Sequence, residues 1–280
     1  MSELERLAAR AGDLPALPQV AMKVIEVASD VDSSIRDLEA AVARDQAIAS
    51  TVLRLSNSAY YGMPGRISTL SRAVLVIGSD KLKSVVYAAC TESLFRKSKS
   101  SFEDRILWEH SLATAIVGRF LSKRLGHPSG EESLVAGLIH DIGKVIMDTN
   151  ARDKYQWVLQ RVKNEHETFV AAEREVFGFD HADVGGLVAR KWSLADNLVE
   201  AVRCHHNPSA ATVDPKLSAI INLANGICVK LEIGPERLPD LDLASLPSCD
   251  ILALDRETLD CLPEEALACL ELERQSLAVG

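Results

Sequence analysis

Apolar positions along this 280-residue chain recur at helical spacing, and the strict alternation of a half-buried strand is nowhere sustained. Pro15 and Pro18 bracket a first start, after which Val20, Val24, Ile25, Val27 and Ala28 repeat as far as Ser29-Asp30. Ser34 with Asp37 three residues on makes a capping box and opens a helix through Leu38, Ala41 and Val42. A third helix runs from Asp45, with Ile48, Val52, Leu53 and Leu55 inward, and stops near Asn57-Ser58. Two glycines and a proline in Tyr60-Tyr61-Gly62-Met63-Pro64-Gly65 predict a reversal. Two more helices follow, one through Leu70, Ala73, Val74 and Ile77, the next capped by Ser79 and carrying Leu82, Val85, Val86 and Ala89. Polar, helix-poor Lys97-Ser98-Lys99-Ser100-Ser101 is the best internal boundary. Beyond it the pattern predicts helices at 108–125, 131–146, 155–169, 171–177, 183–192, 198–206 and 217–231. Pro235, Pro239, Pro247 and Pro263 are expected to break the remainder into shorter pieces. The fold class is therefore all-α: a multi-helix bundle at 101–232, an N-terminal helical subdomain at 1–100 and a helical extension at 233–280.

Composition changes this picture little, but charge does. A hydrophobic share of 47% with 25% charged residues is that of a soluble globular protein. No apolar run approaches the roughly 18 residues of a membrane span, and Met1-Ser2-Glu3-Leu4-Glu5-Arg6 lacks a signal-peptide pattern, so a cytoplasmic location is expected. Six cysteines without a CxxC pair predict reduced, mostly buried thiols and argue against a disulfide framework or a thiolate zinc site. The net charge of −9 lies wholly in the last stretch: from Glu232 onward there are 12 acidic and 3 basic residues, and the preceding part carries 28 of each sign. A neutral body with an acidic end has no basic footprint for nucleic acid. Lys81 and Lys83 in the 71–86 helix pair do not make one. The acidic end, with its recurring leucines, reads as a solvated helical face or a surface for a protein partner.

The candidate chemistry is centred on Gly137-Leu138-Ile139-His140-Asp141-Ile142-Gly143-Lys144. An imidazole and a carboxylate at the end of an apolar run suit a divalent transition metal, Gly143 removes bulk beside them, and Lys144 can hold an anion. Chance alone supplies a His-Asp pair often enough that the other histidines must decide. His110 shares a stripe with Ile106, Ala113, Val117 and Leu121, so it points inward. His181 stands at a helix start and His205-His206 at a helix end, whereas His127 and His166 read as surface. Four helices thus bring inward or terminal histidines to one bundle, as bundle metal sites require. His110, His140 and Asp141 suffice for one cation. His181 with His205 or His206 would hold a second, with Asp141 bridging.

The order of these residues resembles the HD superfamily of metal-dependent phosphohydrolases in its dinuclear form. Asp13-Leu14-Pro15-Ala16-Leu17-Pro18, Asp45-Gln46-Ala47-Ile48-Ala49, Val52-Leu53-Arg54-Leu55-Ser56-Asn57-Ser58-Ala59-Tyr60-Tyr61-Gly62 and Ile67-Ser68-Thr69-Leu70-Ser71-Arg72-Ala73-Val74 are similar to its HDOD branch, signalling proteins related to the HD-GYP phosphodiesterases. The resemblance spans residues 13–230. It implies one or two ions of iron, manganese, nickel or zinc, held by His110, His140, Asp141, His181, His205 and His206, with Asn225 as a further, weaker ligand. Two departures stand out. Asn225 occupies the position of a further aspartate ligand in the catalytic members, and Asn207-Pro208-Ser209-Ala210 replaces a Gly-Tyr-Pro signature. The resemblance therefore implies a regulatory module that binds metal with weak or no turnover. Such a module works through protein partners, as a homodimer or through a phosphorylated small molecule, without nucleic acid or membrane. The alternative is an active phosphohydrolase of cyclic dinucleotides or nucleotides, with Asp141 and Lys144 as its catalytic residues.

Overall fold

The computed structural model describes residues 11–30, 32–57, 67–97, 104–128, 130–165 and 167–278, and every described element is helical. The turn expected at 60–65, His166 and residues 98–101 of the boundary expected at 97–101 lie outside the described residues, and Lys97 is the last residue of a helix. The chain forms two units, Met1–Ala16 with Leu94–Pro263 and Leu17–Ser93 with Glu264–Gly280.

Within the second unit, α1 (Gln19–Ser29) starts behind Pro18 and ends at Asp30. Ser34 and Asp37 form the expected capping box of α2 (Ile35–Val42). There follow α3 (Gln46–Ser56), α4 (Leu70–Ile77), with the Thr69 side chain accepting from the Arg72 N–H, and α5 (Ser79–Lys97). Helix α1 packs on α2, and α4 on α2 and α3. Val24, Val42, Val52, Ala73 and Leu82, at the inward positions of the pattern, are buried. Asn57 ties the end of α3 to the segment before α4. Its amide nitrogen donates to the carbonyls of Leu53 at 3.0 Å and Ile67 at 2.8 Å, and its oxygen accepts from the Ile67 N–H at 3.0 Å. Asn57→Ala leaves three main-chain groups to find water, and its stability is expected to fall by about 1–3 kcal/mol, read as a lowered denaturant midpoint.

The first unit holds α6 (Asp104–Arg124), α7 (Gly130–Ile139), α8 (Ile142–Asn150), α9 (Arg152–Glu165), α10 (Phe169–Phe177), α11 (His181–Lys191), α12 (Asp196–Arg203), α13 (Pro215–Lys230) and α14 (Ser248–Leu252). Helix α15 (Arg256–Ala278), like α5, runs through the division between units. Helix α6 packs against α7 and α13, and α11 against α8 and α12. Gly137 lets α7 press on α6, since a Cβ there would lie 2.5 Å from Ala115 Cα. Residues 11–15 are tied to this unit by their carbonyls. Asn150 donates to Ala11 and Asp13, Lys191 to Leu14, and the Trp192 indole to Pro15.

Several boundaries differ from the sequence pattern. The helix expected at 131–146 is two helices, parted at His140-Asp141. Asp141 leaves helical geometry at φ −97° and ψ 5°, in the bridge region common at functional positions. The apolar repeat continues through the break because residues 135–148, on both sides of it, are all buried. Phe169, expected to end one helix, opens α10 behind the cap of Thr168. His205-His206 stand beyond α12, in the turn that follows Arg203. Pro263, expected to break a helix, lies inside α15.

Candidate metal centre

The break after α7 positions the centre. Neighbouring helical residues point about 100° apart, so an unbroken helix would turn His140 and Asp141 away from each other. With the chain parted, His140 Nε2 lies 3.4 Å from Asp141 Oδ2, and both side chains are buried. Gly143, in the first turn of α8, allows α11 to arrive: a Cβ at that position would overlap the His181 carbonyl. The inward stripe on α6 brings His110 Nε2 to 3.5 Å from Asp141 Oδ2. His181 opens α11 with Nε2 3.2 Å from Asp141 Oδ1. The turn after α12 places His205 Nε2 3.3 Å and His206 Nε2 2.9 Å from that same His181 nitrogen.

Two trios result, His110–His140–Asp141 and His181–His205–His206, each with its ligand atoms within 4.8 Å of one another. Asp141 faces both, one oxygen to each side. Lys144, also buried, donates to Asp141 Oδ2 at 2.8 Å and lies over the Phe169 ring at 4.4 Å. Asn225 lies on α13, close to the His110 ring. The structure thus brings all of the expected residues together. His127, read as surface, is instead half-buried beside Asp214.

Four of the imidazoles are fixed through Nδ1. His110 is hydrogen-bonded to the Ile233 carbonyl, His140 to that of Gly137 and His205 to that of Val202, each at 2.7 Å. His181 is hydrogen-bonded to the Glu173 carboxylate at 2.6 Å. A carbonyl only accepts, so those Nδ1 atoms carry the proton and Nε2 presents a lone pair inward. Burial pushes His140 and His206 well below the ordinary histidine range, His205 to about 4, and lowers His110 as well. Burial alone would also lower His181, but the Glu173 carboxylate outweighs it and the group is raised. Burial opposes ionisation of Asp141, yet His140, Lys144, His181 and His110 together hold it well below the carboxylate range. Lone pairs facing one another around an ionised carboxylate are repulsive until a cation stands between them. His140 Nε2 and Asp141 Oδ1 are buried without a hydrogen-bond partner, which is rare for such groups. Imidazole and carboxylate donors with unsatisfied lone pairs fit a divalent transition metal.

Sequence reasoning missed Glu173. It is fully buried on α10, accepts from the His181 N–H at 2.8 Å as well as from the ring, and accepts the Tyr155 hydroxyl at 2.7 Å. Asp180 then caps α11 through the Asp183 N–H, and Arg174 holds the Asp180 carboxylate. The available signal was the spacing of eight residues between Glu173 and His181, which a short helix and a tight turn can close.

Known proteins share this architecture. The family model of the HDOD domain matches residues 14–208. An HDOD protein of unknown function from Geobacter sulfurreducens superposes with a TM-score of 0.83 at 24% identity, over 99% of this chain and 97% of its own. A Shewanella amazonensis protein provisionally named a phosphohydrolase gives 0.76 at 23%, over 97% and 96%. A Marinobacter aquaeolei protein provisionally assigned to signal transduction gives 0.74 at 20%, over 95% and 59%. An uncharacterised protein of Treponema pallidum is 26% identical over 222 residues. That match takes in 78% of this chain, which spans 43% of the relative's length. No described helix is long and apolar enough to cross a membrane.

Proposed function

The chain belongs to the HDOD family, and on that premise we propose that it is a signalling module which binds divalent metal and turns over substrate weakly or not at all. The carrying observation is the pairing of a nearly complete ligand set with Asn225 against His110, where catalytic relatives of the HD type place a carboxylate. His110, His140 and Asp141 would hold one ion, and His181, His205 and His206 a second, each iron, manganese, nickel or zinc. A metal bound there supplies Lewis acidity toward a phosphoryl oxygen. A neutral amide at 225 leaves the site one unit more positive than a carboxylate would, which favours holding a phosphorylated ligand over releasing a product. Lys144 keeps its ammonium on Asp141 Oδ2, where it steadies the carboxylate and adds positive charge for an anion. In this reading the ligand state of the site is passed on through contacts with protein partners or a second copy of the chain.

The alternative, an active phosphohydrolase with Asp141 and Lys144 as catalytic residues, is favoured by the number of ligands retained. Metal analysis of protein purified without added metal, with hydrolysis assays on cyclic dinucleotides and a simple phosphodiester, separates the two. Bound metal with negligible turnover is expected. Robust turnover would establish the enzyme, and absence of metal even after reconstitution would remove the site. Asn225→Asp is expected to tighten manganese(II) binding about tenfold, within the range single changes around a metal bring, and titration calorimetry checks it.

A further inference from the structure

The His181–His205–His206 trio takes two of its three imidazoles from the turn after α12, and α13 holds that turn. The Cys204 N–H bonds the Glu200 carbonyl at 2.8 Å, and the Asn207 N–H bonds that of Cys204 at 2.9 Å. Between these ties lies the peptide that joins His205 to His206. Its carbonyl accepts from Asn222 Nδ2 at 2.8 Å, and both His205 and Asn222 are buried. A peptide unit is rigid and planar, so a grip on its oxygen bears on both ligands at once. The His205 ring has a second fastening, through Nδ1 to the Val202 carbonyl. The His206 ring faces His181 through Nε2 and makes no hydrogen bond through Nδ1 among the described residues. That ring stands where the main chain puts it.

Stability does not account for the amide. Asn222 Oδ1 is buried with no hydrogen-bond partner among the described residues, and an unmet buried acceptor costs about what a neutral hydrogen bond returns, or more. Leucine, of nearly the same size, would strand the His205 carbonyl but would remove the stranded Oδ1 and bury more apolar surface. For the fold alone the two side chains are close to balanced. We propose that Asn222 is a positioning residue of the metal centre: through the His205 carbonyl it sets the peptide that aims both imidazoles of the turn at the ion shared with His181. This rests on the metal-binding reading of the site.

The test is cobalt(II) titration of chelator-treated full-length protein, read by the visible absorption of the bound ion, which reports the number and kind of its ligands. Asn222→Leu is expected to weaken one ion by about 10–100-fold, the range for groups that orient ligands, and to change its absorption. An ion held by His110, His140 and Asp141 is expected to bind as in the parent, and the metal-free melting temperature to stay unchanged. Should the leucine variant not fold, Asn222→Ala is read in its place. Ser218→Ala, which removes another unpartnered buried oxygen one turn earlier on α13, leaves every affinity unchanged. Binding of every ion within twofold of the parent overturns the proposal while leaving the centre intact. Two ions weakened alike, with a lowered melting temperature, also overturn it, since Asn222 would then serve the fold. A parent protein that takes up no cobalt overturns both this proposal and the reading beneath it.

Discussion

Replacing Asp141 by asparagine is expected to reduce the metal content of the purified protein to about a tenth or less, since the change removes a ligand where even outer partners are worth 10–100-fold. Its two oxygens face four nitrogens of four side chains, and the carboxylate is the only negative charge in either trio. The same substitution deprives buried Lys144 of its counter-ion. Breaking such a pair costs on the order of 3–5 kcal/mol, so the metal-free variant should also melt markedly earlier. The two effects can be parted. Lys144→Met on the Asp141→Asn background removes the stranded ammonium, and stability is expected to recover while metal binding does not. Recovery of both would mean that Asp141 serves the fold and not an ion.

The second large effect is expected at Glu173. Its carboxylate accepts from the His181 ring, the His181 N–H and the Tyr155 hydroxyl, all buried. Glu173→Ala strands these donors together, a loss of about 3–5 kcal/mol by the measure of a broken buried pair. It also frees the ring that presents Nε2 to the second trio. Glu173→Gln keeps the shape and one acceptor but not the charge that raises His181. For this variant the fold is expected to persist while one of two bound ions is lost, because His110, His140 and Asp141 are untouched. Metal stoichiometry by elemental analysis reads this directly, and retention of both ions would show that Glu173 is a packing group alone.

Much of this arrangement was legible from residue order, and what escaped has physical causes. The stripe around His110 placed it inward because helical periodicity is a property of one element and its own neighbours. Asn225 was recognisable as a departure because a motif specifies residue types at positions. The parting of α7 from α8 was hidden, since residues 135–148 are all buried and the apolar pattern runs on unbroken across it. Gly143 hinted at it, though only the arrival of α11 explains why a side chain is forbidden there. Apart from its spacing from His181, Glu173 did not stand out from Glu175 and Arg174 on the same short helix, for burial is decided by partners in other elements.

The way the imidazoles are fastened has a consequence for inheritance. Three of the four fixed rings lean on main-chain oxygens, those of Ile233, Gly137 and Val202, and only His181 leans on a side chain. An oxygen of the backbone is present whatever residue a codon specifies. Position 233 can therefore drift among descendants without disturbing the tautomer it sets, while position 202 is constrained by its burial in the core and not by the ring. Position 137 is held for a different reason, the close crossing with Ala115. Glu173 has no such freedom. Among these four supports it is the one whose accepting group a single base change can remove outright, and a lineage abandoning the centre could do so there while every histidine still stood in place.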